Sequence, residues 1–299
     1  MNLPVVLKAP KAEMLSGFFF KTGIRVQPRP DRRFFIIGAW FMKDLGVGIR
    51  KIGFLVLSVL VGLTLWQMFT TYSQIPSFIF PTPTEVWERL IIVLLDGSLL
   101  KHTLITLQEV VFGLLLGLTA AIITGYFLAK SRLVERVLSP YIVASQSIPI
   151  VAIAPLLVIW LGPGIFSKIL TSALIVFFPV LVNTVVGLKS VPRELYDLMR
   201  SLQASTWQRI FKLEIPSAMP VFLGGLRIGA TLSVIGAVVG EFVGADKGLG
   251  FLVNVGRGLY DTALVFVAVF TIVLLSLGLY GSVIFLENRL LSWQKRNGD

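Results

Sequence analysis

Cysteine is absent from this sequence, histidine occurs once, and charged residues make up only 14% of it. The lack of cysteine excludes disulfide bonds, thiolate metal sites and cysteine nucleophiles. The single histidine, His102, cannot form a histidine metal cluster, and we expect it to be exposed. The 299 residues are 55% hydrophobic, with a mean hydropathy of +0.84. This composition excludes an ordinary soluble domain and predicts a polytopic membrane protein.

Six largely apolar runs are long enough to cross a bilayer, which requires roughly 20 residues rising 1.5 Å each. The third and fourth runs belong to one uncharged stretch that is too long for a single helix. Gly162-Pro163-Gly164 therefore predicts a tight turn between them. The fold class is accordingly an all-α membrane protein, with predicted spans at residues 52–72, 103–129, 137–160, 166–188, 218–241 and 262–286.

Lysine and arginine accumulate in alternate connections between these runs. Residues 1–51 contain ten cations and three acids, and further cations lie at 130–136, at 189–212 and after residue 286. The positive-inside rule places these regions, and therefore both termini, on the cytoplasmic side of the membrane. The net charge is +11, but the cations flank apolar runs and form no basic stripe, so no nucleic-acid partner is expected.

The terminal regions predict additional features. Residues 1–50 predict a basic cytoplasmic arm, because no apolar stretch leads to a signal-peptide cleavage site. Within the arm, residues 34–42 are too few to span a bilayer and predict an interfacial helix. Residues 289–299 predict a cytoplasmic tail. On the opposite side of the membrane, Pro81 to Thr84 predict a rigid turn in which Thr84 caps a short surface helix.

A polar, helix-forming segment at residues 190–216 separates the fourth and fifth runs. Its first half predicts an amphipathic helix, because apolar side chains recur on one face at Leu195, Leu198, Met199 and Leu202. Ser205-Thr206-Trp207-Gln208 has the form of a capping box and predicts the start of a second helix. We expect Pro216 and Pro220 to end that helix before the fifth span. A plain surface loop is the alternative interpretation.

Two stretches of this segment, residues 197–205 (DLMRSLQAS) and 215–220 (IPSAMP), resemble the cytoplasmic EAA loop of bacterial ABC-importer permeases. The similarity extends over residues 76–286 and includes Ser147-Ile148-Pro149, Gly225-Leu226-Arg227-Ile228 and Gly240-Glu241 with Lys247-Gly248-Leu249-Gly250. The resemblance is to the subfamily that imports nitrate, taurine, alkanesulfonates, riboflavin and thiamine-precursor pyrimidines. It implies the six-helix type I importer permease fold and a multi-pass location in the bacterial cell membrane.

The resemblance also implies partners: cytoplasmic ABC ATPase subunits, an extracytoplasmic solute-binding protein and a second permease copy. This chain lacks a phosphate-binding loop, so it is not expected to be an enzyme or to bind a cofactor, and ATP and Mg belong to the ATPase subunits. Gln203 stands where the family usually has a glycine, so the turn must form without glycine's freedom at positive φ. The implied ATPase-coupling residues are Asp197, Leu198, Met199, Gln203, Ala204, Ser205, Trp207 and Phe211.

Polar and charged residues within the runs are weaker candidates. For the neutral ones, lining of the translocation pathway and interhelical hydrogen bonding are both open interpretations. Buried charges cost more, so the charged ones are candidates for structural or gating roles. Glu109 and Glu241 lie near the outer ends of their spans, and Arg227 is expected to pair with an acid of another span. The neutral candidates are Gln146, Ser147, Asn183 and Ser233.

The expected cargo is a small organic solute. The route contains no cluster of lysine or arginine, which favours riboflavin or a thiamine-precursor pyrimidine over an anion. Taurine, an alkanesulfonate or nitrate is the alternative cargo. A self-contained secondary transporter is the alternative function, but the proline-rich third run has no inverted counterpart. A membrane-embedded enzyme is disfavoured because the acids do not converge at one depth.

Overall fold

The computed structural model describes residues 49–73 and 75–291. Nearly all of the predicted basic arm, including the helix expected at 34–42, lies outside these residues, as does most of the predicted tail. Contacts divide the chain into a unit that ends at Val61 and a unit that begins at Gly62. All the sites discussed for this protein belong to the second unit.

Helices and their connections make up the whole described part of the chain, which contains no β-strand. This confirms the predicted all-α class. One π-helix, Ile210–Glu214, lies directly between the α-helices Thr206–Arg209 and Ile215–Gly244. The α-helices in chain order are α1 (Ile49–Tyr72), α2 (Pro83–Leu95), α3 (Ser98–Lys130), α4 (Arg132–Gln146), α5 (Ile150–Leu161), α6 (Ile165–Lys189), α7 (Arg193–Ser201), α8 (Thr206–Arg209), α9 (Ile215–Gly244), α10 (Leu249–Gly258) and α11 (Thr262–Leu290).

Among the described residues, four helices are long and apolar enough to cross a membrane. They are α3, α6, α11 and the continuous helix Thr206–Gly244, which consists of α8, the π-helix and α9. The bent pair of α4 and α5 makes a fifth span if it is counted as one. The apolar stretch of α1 at Val56–Tyr72 is shorter than these. Six spans therefore remains a prediction from the sequence.

The third predicted span is broken. Where the sequence predicts one helix over 137–160, α4 and α5 meet at 94°. Ser147 caps the end of α4, and Pro149 precedes α5 in an extended conformation. Proline lacks an N–H group and disfavours a helical conformation at the residue before it, so the helix cannot continue through Ile148.

The expected end of the second helix at Pro216 and Pro220 is wrong. The helix runs through both prolines and becomes α9. Pro216 falls in the first turn of α9, where proline is tolerated. Pro220 lies one turn later and removes a single hydrogen bond without ending the helix.

The short helix after Pro81 is confirmed, but its cap is Thr82 and not Thr84. Thr82 Oγ1 accepts a hydrogen bond from the Glu85 N–H at 3.2 Å, and Glu85 Oε2 accepts one from the Thr82 N–H at 2.7 Å. This is a complete capping box. Pro83 explains the shift, because proline favours the first helical position and so fixes the cap one residue before it.

The core of the bundle forms where α6 packs against both α3 and α9. Small residues allow the backbones to approach closely. A Cβ atom added to Gly236 of α9 would lie 2.5 Å from Ser172 Cα, and one added to Gly117 of α3 would lie 2.6 Å from the Ala173 carbonyl oxygen. Ser172 Oγ also donates to the Ser233 carbonyl at 2.9 Å. Small side chains and hydrogen bonds of this kind are typical of helix contacts in membranes.

A second apolar cluster joins α2, the start of α3, α10 and α11. Helix α10 was not predicted, and it lies between the fifth and sixth predicted spans. The helix begins after Gly248 and buries Leu249, Leu252 and Val253. The buried members of the cluster are Val86, Val93, Leu99, Leu249, Leu252, Val253, Leu264, Val267 and Ala268.

Candidate functional site

The 190–216 segment begins with helix α7 and a turn at Gln203. The Ala204 N–H donates to the Met199 carbonyl at 2.9 Å, and Gln203 adopts a φ of 52°. This is the left-handed conformation that glycine adopts most readily. The prediction that the turn forms without glycine is therefore confirmed. Asp197 and Leu198 lie on α7, between one and two turns before Gln203.

The second helix of the segment starts with the predicted capping box. Ser205 Oγ accepts from the Gln208 N–H at 3.3 Å, and Gln208 Oε1 accepts from the Ser205 N–H at 2.8 Å. Beyond the cap, the rings of Trp207 and Phe211 stack with centroids 5.8 Å apart. Trp207 is 70% exposed and Phe211 60%. The structure thus presents a pair of aromatic rings at the surface of a capped helix start.

Lys130 links this segment to the end of α3. Its Nζ donates to Glu214 Oε1 at 2.5 Å and to the Tyr196 hydroxyl at 3.3 Å. It also lies 5.1 Å from the centroid of the Tyr196 ring and 5.7 Å from that of Tyr126. Glu214, the last residue of the π-helix, is only 3% exposed. One ammonium group therefore connects α3, α7 and the π-helix at what we call the loop end of the bundle.

The opposite end of the bundle, the far end, contains a network of buried side chains around the start of α10. Three successive backbone N–H groups there are bound by side chains from other helices. Gly248 N–H donates to His102 Nδ1 at 2.9 Å, and Leu249 N–H donates to Thr106 Oγ1 at 2.8 Å. The Gly250 N–H donates to the carboxylate of Glu241. Acceptors at these positions satisfy N–H groups that the first turn of a helix leaves unpaired.

Glu241 holds this network together and is completely buried. Its Oε1 accepts from the Thr106 hydroxyl at 2.6 Å, so the carboxylate joins α9, α3 and α10. Glu109, which like Glu241 was placed near the outer end of its predicted span, is also only 2% exposed. His102 is likewise half-buried and stacks on Phe251, which corrects the expectation of an exposed side chain. Contacts between distant helices, rather than position along one span, determine this burial.

Lys168 of α6 is a charged residue of the far end that was not singled out from the sequence. It is 2% exposed, and its Nζ donates to the carbonyls of Gly244, at 3.1 Å, and of Pro163. Lys168 interacts electrostatically with Glu109, whose carboxyl group lies against that of Glu241. A lysine inside an apolar run is the signal that could have identified it, because a charge at membrane depth needs partners.

The four pathway candidates do not come together. Gln146 and Ser147 are exposed at the bend between α4 and α5. Asn183 Nδ2 donates to the Pro179 carbonyl of its own helix at 2.8 Å, and Ser233 Oγ donates to the Ala230 carbonyl at 2.8 Å. Ser233 is fully buried between helices. The hydrogen bonds of Asn183 and Ser233 are those that polar residues form within packed helices.

Arg227 of α9 forms an ion pair with Glu287 of α11 and lies 5.8 Å from the centroid of the Tyr280 ring. It therefore pairs with an acid of another span, as expected. No group of three His, Asp or Glu side chains that could hold a metal ion occurs in the part of the chain that the structure describes.

Comparisons with known proteins agree with this architecture. The profile of the family "Binding-protein-dependent transport system inner membrane component" matches residues 113–292. The riboflavin transport system permease protein RibX of Chloroflexus aurantiacus is 45% identical over 232 residues, covering 78% of this chain and 87% of that protein. The formylaminopyrimidine transport permease protein ThiX of Halalkalibacterium halodurans is 36% identical over 234 residues, covering 78% of this chain and 93% of that protein.

Two further similarities are more distant. The taurine transport system permease protein TauC of Escherichia coli is 33% identical over 253 residues, covering 82% of this chain and 90% of that protein. A structure of the MetNI methionine ABC transporter in inward-facing conformations aligns with a TM-score of 0.53 at 18% identity, covering 67% of this chain and 97% of that chain. This last match supports the type I importer permease fold.

Proposed function

Because this chain belongs to the family of inner-membrane components of binding-protein-dependent transport systems, we propose that it passes a small organic solute from an extracytoplasmic binding protein to the cytoplasm. A pore of two copies of the chain would serve this role. Family membership favours this ATP-driven importer over a self-contained secondary transporter. The main support for the proposal comes from the 190–216 segment, because it presents the stacked rings of Trp207 and Phe211 at the surface.

The 190–216 segment would couple ATP hydrolysis to transport by docking on an ATPase subunit. Trp207 and Phe211 form an apolar anchor that a groove could bury, and aromatic rings of this kind dominate the energetics of interfaces. Leu198 and Leu202 add exposed apolar surface from the preceding helix and turn. The chain has no phosphate-binding loop, so ATP and Mg would be bound by the ATPase subunits and catalysis would occur there. Closure of those subunits would then move the helices between two states of the pore.

The coupling role is tested by Trp207→Asp and Ala204→Asp in the complex reconstituted with its ATPase and binding protein. Both variants should lose cargo-stimulated ATP hydrolysis and transport, because a buried charge opposes docking in an apolar groove. Trp207→Phe, which keeps an aromatic ring, is the matched control and should retain both activities. If hydrolysis and transport survive in both aspartate variants, Trp207 has an interfacial role and the proposed coupling is wrong.

The same proposal predicts the orientation of the chain in the membrane. The 190–216 segment and both termini would face the cytoplasm, and the start of α10 would face the binding protein. Because the chain has no cysteine, single-cysteine variants can be labelled without background. Ser201→Cys at the loop end and Ser77→Cys on the exposed turn before α2 are suitable positions. A membrane-impermeant maleimide added to spheroplasts with an intact inner membrane should label only Ser77→Cys. Labelling of Ser201→Cys alone would show that the orientation is the reverse of the proposed one.

Riboflavin or a thiamine-precursor pyrimidine is the proposed cargo. The relatives named for riboflavin and formylaminopyrimidine are 45% and 36% identical, against 33% for the one named for taurine. Thermal-shift screening of the partner binding protein against riboflavin, formylaminopyrimidine, taurine and nitrate would identify the ligand. Stabilisation by taurine or nitrate alone would support the alternative cargo.

A further inference from the structure

Three ionisable side chains from different helices are buried together at the far end of the bundle. Glu109 of α3 and Lys168 of α6 are each 2% exposed, and Glu241 of α9 is completely buried. The carboxyl groups of Glu109 and Glu241 are in hydrogen-bond contact with each other. None of the three has a role in the coupling described above, so their burial in one place needs an explanation of its own.

The contact between the two carboxyl groups requires a proton. An ionised carboxylate has only acceptors, so one of the two groups must be an acid that donates to the other. Glu241 is suited to be the acceptor, because it already accepts from the Thr106 hydroxyl at 2.6 Å and from the Gly250 N–H in the first turn of α10, where negative charge is favoured. Glu109 Oε2 is inaccessible and receives no hydrogen bond from any described residue, as expected of an oxygen that carries its own proton.

The balance of the buried charges leads to the same assignment. Lys168 supplies an ammonium group that interacts electrostatically with both carboxyl groups. Its Nζ donates to the carbonyls of Gly244 and Pro163. With both carboxyl groups ionised, the three side chains would place a net negative charge in a buried site, which is costly. One proton on the carboxyl pair makes the group of three neutral.

Other ionisable groups surround the pair without replacing this proton. His102 of α3 accepts a backbone hydrogen bond through Nδ1, and a ring nitrogen that accepts carries no proton, so His102 is neutral in this arrangement. Asp246 and Lys247, in the turn after α9, are exposed and lie 3.7 Å apart. Together with Glu109 and Lys168 they line a cavity of about 740 Å³. A proton that leaves the pair therefore enters a polar space and not lipid.

We infer that the Glu109–Glu241 pair holds one proton and that this proton fastens α10 to the bundle. While Glu109 is an acid, it donates to Glu241, and Glu241 can hold the Gly250 N–H. When the O–H bond of Glu109 breaks and the proton passes to solvent, two carboxylates face each other in a buried site and repel, so Glu241 releases α10. The fastening is therefore present at neutral pH and lost as the pH rises. The inference is independent of the importer role.

Infrared spectroscopy of the purified full-length permease detects the proton, because the C=O stretch of a carboxylic acid is separate from that of a carboxylate. Spectra are recorded at neutral pH, where an ordinary glutamate with a pKa of about 4.3 is ionised, in a detergent without ester groups. The natural protein should show an acid band that Glu109→Gln removes. Glu214→Gln should keep the band, since Glu214 is equally buried but paired with Lys130.

Two results of this measurement would overturn the inference: no acid band in the natural protein, or an unchanged band in Glu109→Gln. If Glu109→Gln does not fold, a heavy carbon isotope in the glutamate carboxyl groups of the natural protein replaces it. The isotope should shift the acid band and so assign it to a glutamate. A band that does not shift would refute the assignment.

Hydrogen exchange tests whether the proton fastens α10. Glu109→Gln keeps a donor toward Glu241 in its amide N–H group but has no proton to lose. At neutral pH the amides of the first turn of α10 should exchange equally fast in both proteins. At alkaline pH those of the natural protein should exchange about tenfold or more faster than those of the variant, the effect of losing one hydrogen bond to a charged group. Titration of Lys168 and Lys247 affects both proteins alike.

Helix α2 provides the internal control for this exchange. Its start is capped by Thr82 and Glu85, which are distant in sequence from the pair, and should exchange equally in both proteins at every pH. Within the natural protein, alkaline pH should accelerate exchange in α10 more than in α2, a comparison that needs no variant. Equal acceleration of the two helix starts, or the same pH dependence of α10 in the natural protein and Glu109→Gln, would show that the pair is structural and does not release α10.

Discussion

Replacing Lys130 with methionine should separate the 190–216 segment from α3. Methionine fills a similar volume but leaves the Glu214 carboxylate, which is 3% exposed, without its ammonium partner. Breaking a buried ion pair by removing one partner costs about 3–5 kcal/mol. Because the Lys130 side chain is 35% exposed and water can reach the site, we expect a loss at the lower end, about 3 kcal/mol.

A double-mutant cycle in the purified full-length permease measures this pair. Lys130→Met alone should lower the apparent melting temperature by several degrees. Glu214→Gln in the Lys130→Met background should recover most of that loss, because no unpaired charge then remains. The coupling energy should be about 1–3 kcal/mol, as for other residues in direct contact. Additive effects of the two substitutions would refute the contact.

A functional measurement distinguishes coupling from stability. In the reconstituted complex, Lys130→Met should reduce transport per ATP hydrolysed, because α7 and the π-helix would no longer be tied to α3. Tyr196→Phe removes only the weaker bond, at 3.3 Å, and should have a small effect. Equal transport per ATP in Lys130→Met and the natural protein would show that Lys130 is purely structural.

Three further substitutions test the described geometry. Gly248→Ala should destabilise the far end by more than 2 kcal/mol, because φ is +107° and the new Cβ would collide with the Glu241 carboxylate; a thermal melt measures the loss. Gly236→Val should prevent α9 from packing on Ser172, and the variant should show reduced yield in the membrane fraction and a lowered melting temperature. Gln203→Gly should leave stability unchanged or raise it by up to about 1 kcal/mol, because glycine relieves the left-handed strain at φ 52° but loses more chain entropy; clear destabilisation would contradict this.

Local signals in the sequence predicted the turn and the second helix start of the 190–216 segment. The capping box at Ser205 and the turn at Gln203 depend on residues within one helical turn of each other, so the pattern contains the necessary information. The break at Pro149 was harder, because several prolines occur in that region and Pro140 and Pro155 lie inside helices without ending them. Which proline ends a helix depends on packing that the sequence does not specify.

The far end was predicted poorly because its interactions are not local. Helix α10 starts with glycines, and its first N–H groups are bound by His102 and Thr106, more than a hundred residues earlier in the chain. The burial of Glu109 and Lys168 likewise depends on how α3 and α6 meet. Hydropathy indicated that these charges need an explanation, but it could not show that they share one cavity.

The continuous helix from Thr206 to Gly244, which includes the π-helix, has a mechanical consequence. At 1.5 Å per residue its 39 residues form a lever about 58 Å long. One end of this helix carries the exposed ring of Trp207. The other end carries Glu241, whose carboxylate accepts a hydrogen bond from the first turn of α10. A tilt of about 5° around the middle would displace each tip by about 2.5 Å on this length, which is enough to break the hydrogen bonds of Glu241. A force applied at the loop end of the bundle would therefore release α10 from Glu241 at the far end without any local rearrangement between them.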